Sequence, residues 1–225
     1  MPTTPWIDYR GVAISHVGAD GAYIYRTSHV TLDADGSPRA YHPNNTGLDH
    51  NANAGYPNGG WRNVLVVDPA DNSRPYVQTS GPTAGYFIAK TSLQSKTLAP
   101  TDPAAYVDSE TIPYIVFPGD FYAIKGTGGY GDLLMARAVG TALETAAIVA
   151  DGGPADAPLG EMSLALATAL GGHNPNPRNG SGAPSGTFEY VVFPKSAFED
   201  RWPHTFAEIN TKARALLAAI GGWPT

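Results

Sequence analysis

Glycine and proline interrupt this chain so often that long helices and long unbroken strands are excluded. The 225 residues include 26 glycines and 20 prolines, about a fifth of the chain, where roughly 12% is usual. Both residue types destabilise the interior of a helix, which excludes a coiled coil or a long helical bundle. Apolar residues still make up 42% of the chain and aromatic residues 10%, enough for a folded core, so disorder is not expected.

Short apolar segments bounded by turn-forming residues predict a protein built mainly of strands. Two helices are also predicted, Glu161–Leu170 and Phe206–Ile220, and Thr205 with Glu208 forms a capping box before the second. The pattern favours a mainly β (α+β) class, either a β-barrel or an α+β domain. The predicted strands are Ala22–Tyr25, Val30–Leu32, Val64–Val67, Tyr86–Ala89, Ile112–Phe117, Leu133–Ala138, Ala146–Ala150 and Thr187–Phe193.

Length and composition predict a single domain over residues 1–225. Segments rich in Asn, Gly and Pro, residues 41–62 and 172–186, are predicted surface loops rather than linkers. No apolar run is long enough to span a membrane. The residues that follow Met1 show no basic region before an apolar stretch, so no signal peptide is visible.

The charge and the cysteine count exclude further classes. The chain contains no cysteine and has a formal net charge of −6, so neither a disulfide framework nor a cysteine-ligated metal is expected. Lysine and arginine form no cluster, which argues against a nucleic-acid partner. The acidic balance is instead compatible with a neutral or cationic ligand.

The most informative segment for chemistry is residues 148–163, IVADGGPADAPLGEMS. Asp151 follows a predicted strand and Glu161 opens a predicted helix, so both carboxylates can face one cleft. Glycoside hydrolysis needs such a pair, because one group protonates the leaving oxygen and the other activates water or attacks carbon. A structural interpretation stays open, in which Asp151 forms a turn and Glu161 complements a helix dipole.

Other polar residues are candidates for ligand contacts. Asp49 and Asn53 lie in the first polar loop and suit sugar hydroxyls. Asp33 and Asp35 resemble half of a calcium loop, but the remaining ligand positions are missing and a turn is favoured. Asp108, which precedes a predicted strand, is a further candidate for a ligand contact. The loop side chains Tyr41, His42 and Trp61 are candidates as well. Their rings can stack on sugars, or they can simply cover the edge of the core. Neither a metal nor a cofactor is expected, since no nucleotide-binding fingerprint or paired metal-ligand spacing is present.

Six blocks in this order resemble the fungal-type chitosanases, glycoside hydrolase family 75. Together they span residues 32–196, most of the chain. The blocks are LDADGSPRAYHP (32–43), GLDHNANAG (47–55), GYFIAKTSL (85–93), YVDSETIPYIVFP (106–118), IVADGGP…GEMSLALATALG (148–171) and NPNPRNG…FEYVVFPKS (174–196).

The resemblance implies an enzyme and a fold. It implies an endo-acting hydrolase of β-1,4-linked glucosamine polymers (chitosan) that inverts the anomeric carbon, with Asp151 and Glu161 as its two catalytic carboxylates. The segment also resembles part of the double-psi β-barrels, which implies a barrel-like core with two or three peripheral helices. By that looser analogy Glu161 is the acid and Asp151 the base, although the roles can be exchanged. An extracellular, monomeric enzyme is expected, with substrate contacts from Asp33, Asp35, Tyr41, His42, Asp49, Asn53, Trp61 and Asp108.

Two other functions stay open at this stage. The enzymes of that family are secreted, whereas no signal peptide is visible in this chain. A peptidoglycan or other amino-sugar glycan hydrolase therefore remains an alternative. A non-catalytic carbohydrate-binding protein would keep the same fold. One physical conflict is also expected: a general acid needs a raised pKa, whereas a helix N-terminus would lower that of Glu161.

Overall fold

Strands dominate the structure, a computed structural model that describes residues 2–18 and 21–224. Across these residues the strands are β1 (Thr3–Tyr9), β2 (Val12–Val17), β3 (Ala22–Thr27), β4 (Thr31–Asp33), β5 (Val67–Asp68), β6 (Asp71–Pro75), β7 (Tyr114–Pro118), β8 (Leu133–Ala138), β9 (Glu144–Gly153), β10 (Glu161–Ser163) and β11 (Phe188–Phe193). The mainly β class expected from the sequence is therefore confirmed.

Helices are few and mostly short in the part of the chain that the structure describes. They are α1 (Trp61–Val64), α2 (Gly119–Tyr122), α3 (Leu164–Ala169) and α4 (Phe206–Ala219), with a 3-10 turn at Pro103–Ala105. None of the described helices is long and apolar enough to cross a membrane.

One large mixed sheet organises the molecule. Its nine strands run in the order β1-β2-β3-β11-β8-β9-β7-β10-β4, and β5 pairs with β6 in a separate hairpin. Most neighbours are antiparallel, but β7 runs parallel to β9 and β4 runs parallel to β10. Parallel neighbours require chain crossovers, so residues distant in sequence meet at the ends of β9, β7 and β10.

Side chains on the two faces of this sheet form two apolar clusters. Along β8, Leu134 and Ala136 pack into one cluster and Leu133 and Met135 into the other, as the two-residue period of a strand requires. The amphipathic helix α4 covers the second cluster, to which it contributes buried side chains such as Ile209. Apolar side chains therefore pack against both faces of the sheet.

Several predicted elements are confirmed with their boundaries. The strand predicted at Leu133–Ala138 is β8, and the helix predicted from Phe206 is α4, with its capping box formed by Thr205 and Glu208. The strand predicted at Ala146–Ala150 is longer, because β9 continues through Asp151 to Gly153. Asp151 therefore lies inside a strand rather than in a turn.

Two predicted strands are wrong. Residues 86–89 make only isolated bridges, and residues 64–67 are divided between the end of α1, one bridge and β5. Their apolar side chains are buried in two small clusters beside the main sheet. Burial explains their apolar character, but no neighbouring strand extends the pairing into a ladder.

The predicted helix Glu161–Leu170 is also corrected. Glu161 and Met162 pair with Val116 and Ile115 in the sheet, and the helix begins three residues later. Ser163 is the N-cap, and its side chain accepts a hydrogen bond from the Leu166 N–H. Glu161 is therefore a strand residue that lies outside the first turn of α3.

Candidate active site

A polar cleft of about 610 Å³ lies at the end of the central strands. Its floor includes Asp151 from β9, Val116 from β7 and Glu161 from β10, and one wall is the loop that contains Asp49 and Asn53. The cleft is thus assembled from segments that the sheet topology brings together, and it contains both carboxylates that the sequence singled out.

The register of three strands places the two carboxylates on either side of one residue. Val116 pairs with Asp151 on β9 and with Glu161 on β10. Neighbouring strands are about 4.8 Å apart, so the Cα atoms of Asp151 and Glu161 are about 10 Å apart. Side chains on paired positions point to the same face of a sheet, so both carboxylates can reach the same ligand.

A β-bulge shapes the end of β9 beside this pair. Ile115 pairs with Val149 and Val116 with Asp151, which leaves Ala150 without a partner on β7. The Ala150 carbonyl instead accepts a hydrogen bond of 2.8 Å from the Leu93 N–H. Bulges bend a strand and redirect its side chains, and here the bulge directly precedes Asp151.

Asp151 is buried, with 8% of its surface exposed, and one of its oxygens is fully hydrogen-bonded. Oδ1 accepts bonds from the Ser92 hydroxyl (2.5 Å), the Ser92 N–H (3.1 Å) and the Gly152 N–H (2.7 Å). Burial raises the pKa of Asp151, while these bonds and the nearby Lys90 ammonium act to lower it. Each hydrogen bond to a charged group contributes about 1.5–3 kcal/mol, so the three bonds favour the ionised form.

Glu161 has a different environment. Burial and the charge of Asp151 raise its pKa to about 7. The sequence suggested that a helix dipole would oppose this shift, but Glu161 lies in β10, and the helix that follows it begins three residues later, at Leu164. The expected conflict is therefore removed, and Glu161 is protonated in mild acid.

Asp33 and Asp35 line the same cleft as this pair. Asp33 accepts a bond from the Asp35 N–H (2.8 Å), and Asp35 Oδ1 accepts one from the Tyr41 hydroxyl (2.8 Å). Burial raises the pKa of both carboxyls well above the usual range, and the neighbouring carboxylates Asp151 and Glu161 add to the effect.

The Tyr114 hydroxyl gives a geometric reason for a proton on Asp33. It lies 3.0 Å from Asp33 Oδ2 and 2.9 Å from the Asp35 carbonyl oxygen. A tyrosine hydroxyl donates one proton, and a carbonyl oxygen only accepts. When Tyr114 donates to the carbonyl, a protonated Asp33 completes the chain by donating to Tyr114.

The three aspartates are close enough to interact strongly. One oxygen from each of Asp33, Asp35 and Asp151 lies within 4.8 Å of the others. That spacing also suits a cation, but a cluster of acidic side chains is not by itself a metal site. We therefore assign no metal site to it.

Asp49 and Asn53 lie in the loop wall and support each other. The Asn53 amide nitrogen donates to both oxygens of Asp49, at 2.9 and 3.0 Å, and the His50 N–H donates to Oδ1. Asp49 is buried while Asn53 is exposed. Asn53 therefore offers its free amide oxygen to the cleft, and Asp49 holds the loop in shape.

Three predicted contact residues lie elsewhere. Trp61 is only 4% exposed and packs in a small apolar cluster with Phe87, so its ring is not available to a sugar. The His42 ring packs edge-on against Tyr86 and does not line the cleft. Asp108 caps a turn through the Glu110 N–H and lines a different cavity, of about 330 Å³.

Other residues of the site were missed by the sequence analysis. Ser92 and Tyr114 bind the acidic side chains, and Thr31, Asn63 and Pro177 line the cleft. Ser92 lies in one of the blocks that carry the resemblance, GYFIAKTSL, which was the one available signal for it. Tyr114 looks like an ordinary core residue in the sequence, since its neighbours are apolar.

Comparison with known proteins adds no family to this description. No protein-family model matches the chain, and no curated protein matches it either.

Proposed function

We propose that this protein is an inverting, endo-acting glycoside hydrolase that cleaves β-1,4 linkages in chitosan. The observation that carries the proposal is the pair Asp151 and Glu161, which flank Val116 at the floor of one cleft and have opposite hydrogen-bonding environments. Two carboxyl groups of unequal acidity are what an acid and base pair requires.

The environments assign the two roles. Glu161, with its pKa raised to about 7, is the general acid that donates its proton to the leaving glycosidic oxygen. Asp151, hydrogen-bonded on Oδ1, is the base that takes a proton from water. The water oxygen bonds to the anomeric carbon as the carbon–oxygen bond to the leaving sugar breaks, and the acid and base end with their protonation exchanged.

The strand register supports inversion. Inverting enzymes leave about 6.5–9.5 Å between the two carboxyl groups so that water fits, whereas retaining enzymes keep about 5–5.5 Å. A Cα separation of about 10 Å across β7 accommodates the longer range.

The charge of the cleft supports a cationic polymer. Asp33, Asp35, Asp151 and Glu161 contribute to its lining, and the whole chain has a net charge of −6. Chitosan carries ammonium groups in mild acid. The raised pKa values of Asp33, Asp35 and Glu161 keep part of the cleft neutral under those conditions, so the attraction comes from ionised Asp151 and from the negative charge of the whole chain. Pro154 and Pro177 provide apolar surface beside the acidic floor.

The topology supports the double-psi barrel-like core that we propose for the fold. β3 and β4 are separated by only residues 28–30 and pair with β11 and β10 respectively. β11 and β10 are the two ends of the series β11-β8-β9-β7-β10. The consecutive strands β3 and β4 together can therefore join its two ends and close it into a barrel. In this interpretation β1 and β2 extend the edge of the barrel.

Hydrolysis of a substrate panel tests the proposal. Purified protein is incubated at pH 5–6 with chitosan, chitin and peptidoglycan, and reducing ends are counted. We expect release from chitosan, initial products of the α-configuration in proton NMR, and a rapid fall in viscosity from internal cleavage. An extracellular site of action, which we also propose, suits such a polymer.

The other candidate functions are separated by the same assay. Cleavage of peptidoglycan but not chitosan would show another amino-sugar glycan hydrolase, and binding without cleavage would show a carbohydrate-binding protein. Initial β-anomers would contradict inversion. Glu199→Gln removes an exposed carboxylate outside the cleft and serves as the control with full activity.

A further inference from the structure

Ser92 makes an unusually complete contact with Asp151. Its hydroxyl and its backbone N–H both donate to Oδ1, at 2.5 and 3.1 Å. The residue itself is exposed, whereas Asp151 is buried. A serine that bridges in this way controls which oxygen of the carboxylate faces the substrate.

We propose that Ser92 is a positioning residue that holds Asp151 by Oδ1, so that Oδ2 faces the cleft and accepts the proton of the attacking water. The Gly152 N–H, at 2.7 Å, completes the set of donors to Oδ1. A carboxylate oxygen has about two lone-pair sites, so three donors saturate it. Oδ2 is then the oxygen left for a water molecule. The catalytic consequence of this proposal rests on the proposed hydrolase function.

The segment that carries Ser92 is itself held rigidly against β9. The Leu93 N–H donates to the Ala150 carbonyl at the bulge. The Thr91 hydroxyl donates to the Leu93 carbonyl (2.6 Å) and accepts from the Val107 N–H (3.0 Å). Ser92 is therefore fixed on both sides by backbone contacts, and its hydroxyl is pre-oriented toward Asp151.

Several charged or titratable groups face Asp151 besides Ser92. The Lys90 ammonium favours its ionised form. Five side chains interact unfavourably with its charge: Asp33 on β4, Asp35 just after β4, Glu161 on β10, Tyr114 on β7 and Tyr122 on α2. Without the Ser92 hydroxyl, only the Lys90 ammonium and the two backbone N–H donors would remain among these groups to stabilise the ionised form of Asp151.

Titration of Asp151 in Ser92→Ala tests the proposal without reliance on catalysis. Carbon-13 NMR of labelled aspartate follows each carboxyl, and Asp151→Asn assigns the resonance. Loss of one charge-assisted hydrogen bond is expected to raise the pKa of Asp151 by about 1. Ser92→Thr keeps the hydroxyl at an exposed position, so Asp151 in this variant should titrate as it does in the wild type.

Kinetics on chitosan supply the second readout. In Ser92→Ala the acidic limb of the pH profile of kcat should move up with the pKa of Asp151, and kcat should fall about 10-fold with KM little changed. Ser95→Ala is the matched control: Ser95 caps its own turn through the Thr97 and Leu98 N–H groups and does not contact the cleft. It should leave the titration and kcat unchanged.

Two results would overturn the positioning role. One is a titration of Asp151 in Ser92→Ala that equals that of the wild type. The other is a titration in Ser92→Thr that matches Ser92→Ala instead of the wild type. If no polymer is cleaved by the wild type, the hydrolase function fails, yet the NMR titration still decides whether Ser92 controls Asp151.

Discussion

Asp151 and Glu161 are both paired with Val116, one from each side of β7. The sheet therefore sets the distance between the Cα atoms of these two residues, because that distance cannot change without a shift of strand register. A register shift of one residue would turn the side chains to the opposite face. Strand pairing thus sets the backbone positions of the proposed acid and base, which suits a two-carboxylate mechanism.

Replacement of either carboxylate is expected to remove most of the activity. Asp151→Asn and Glu161→Gln should each lower kcat on chitosan at least about 100-fold, since each removes a proton transfer. Thermal melting should show that both variants fold. Full activity in either variant would contradict its assigned role.

The two variants should also differ in their response to a better leaving group. An activated aryl glycoside needs little protonation, so Glu161→Gln should recover much of its rate on such a substrate and Asp151→Asn should not. Initial rates on an aryl chito-oligosaccharide provide the measurement. The reverse pattern would mean that the roles are exchanged.

The stability of the protein should depend on the charge of Glu161. Its pKa is raised to about 7 in the folded state, above about 4.3 for a free glutamate. The folded protein then binds more protons than the unfolded chain between these values, so this group's contribution to the free energy of unfolding decreases as the pH rises from about 4 to 7.

Glu161→Gln removes this dependence and serves as the comparison. The variant and the wild type should melt at similar temperatures at pH 4, where Glu161 is neutral. At pH 8 the variant should melt higher by about 3 °C or more. Equal melting temperatures at both pH values would show that the Glu161 environment does not destabilise its charge.

Gly153 determines how closely β9 approaches Glu161. A Cβ atom at Gly153 would lie 3.0 Å from Glu161 Oε2. Because the end of a side chain can move, Gly153→Ala should fold but displace the acid, and kcat should fall about 10-fold or more. Gly129→Ala is the control, since no heavy atom lies within 4 Å of its added methyl group. Equal activity of the two variants would contradict the predicted displacement.

Arg178 connects two loops at the cleft. Its guanidinium donates hydrogen bonds of 3.2 and 2.6 Å to the Asn45 carbonyl, and its neighbour Pro177 lines the cleft. Arg178→Ala should loosen this wall and raise KM several-fold with kcat little changed.

A surface arginine on α4 provides the control for that experiment. Arg214→Ala breaks a bond to Glu144, which lies outside the cleft, and should leave KM unchanged. A KM for Arg178→Ala equal to that of the wild type would show that the bond between the loops does not shape substrate binding.

The sequence by itself determined some of the local elements, and it singled out Asp151 and Glu161 as the two principal candidate carboxylates. The boundaries of β8 and the capping box of α4 follow from short-range rules, because strand period and helix capping depend on neighbouring residues. Asp151 and Glu161 stood out in the sequence by their residue types and by the resemblance of the blocks that contain them.

Only the tertiary structure decided how these groups work together. The placement of Glu161 in β10, the burial of Trp61 and the contact of Ser92 with Asp151 depend on pairings between segments far apart in the chain. Such contacts leave no periodic pattern in the sequence, since each residue's environment is supplied by strands that it meets only in the folded protein. The pKa of Glu161 is the clearest case: burial and the nearby Asp151 raise it, and the arrangement of β9, β7 and β10 provides both.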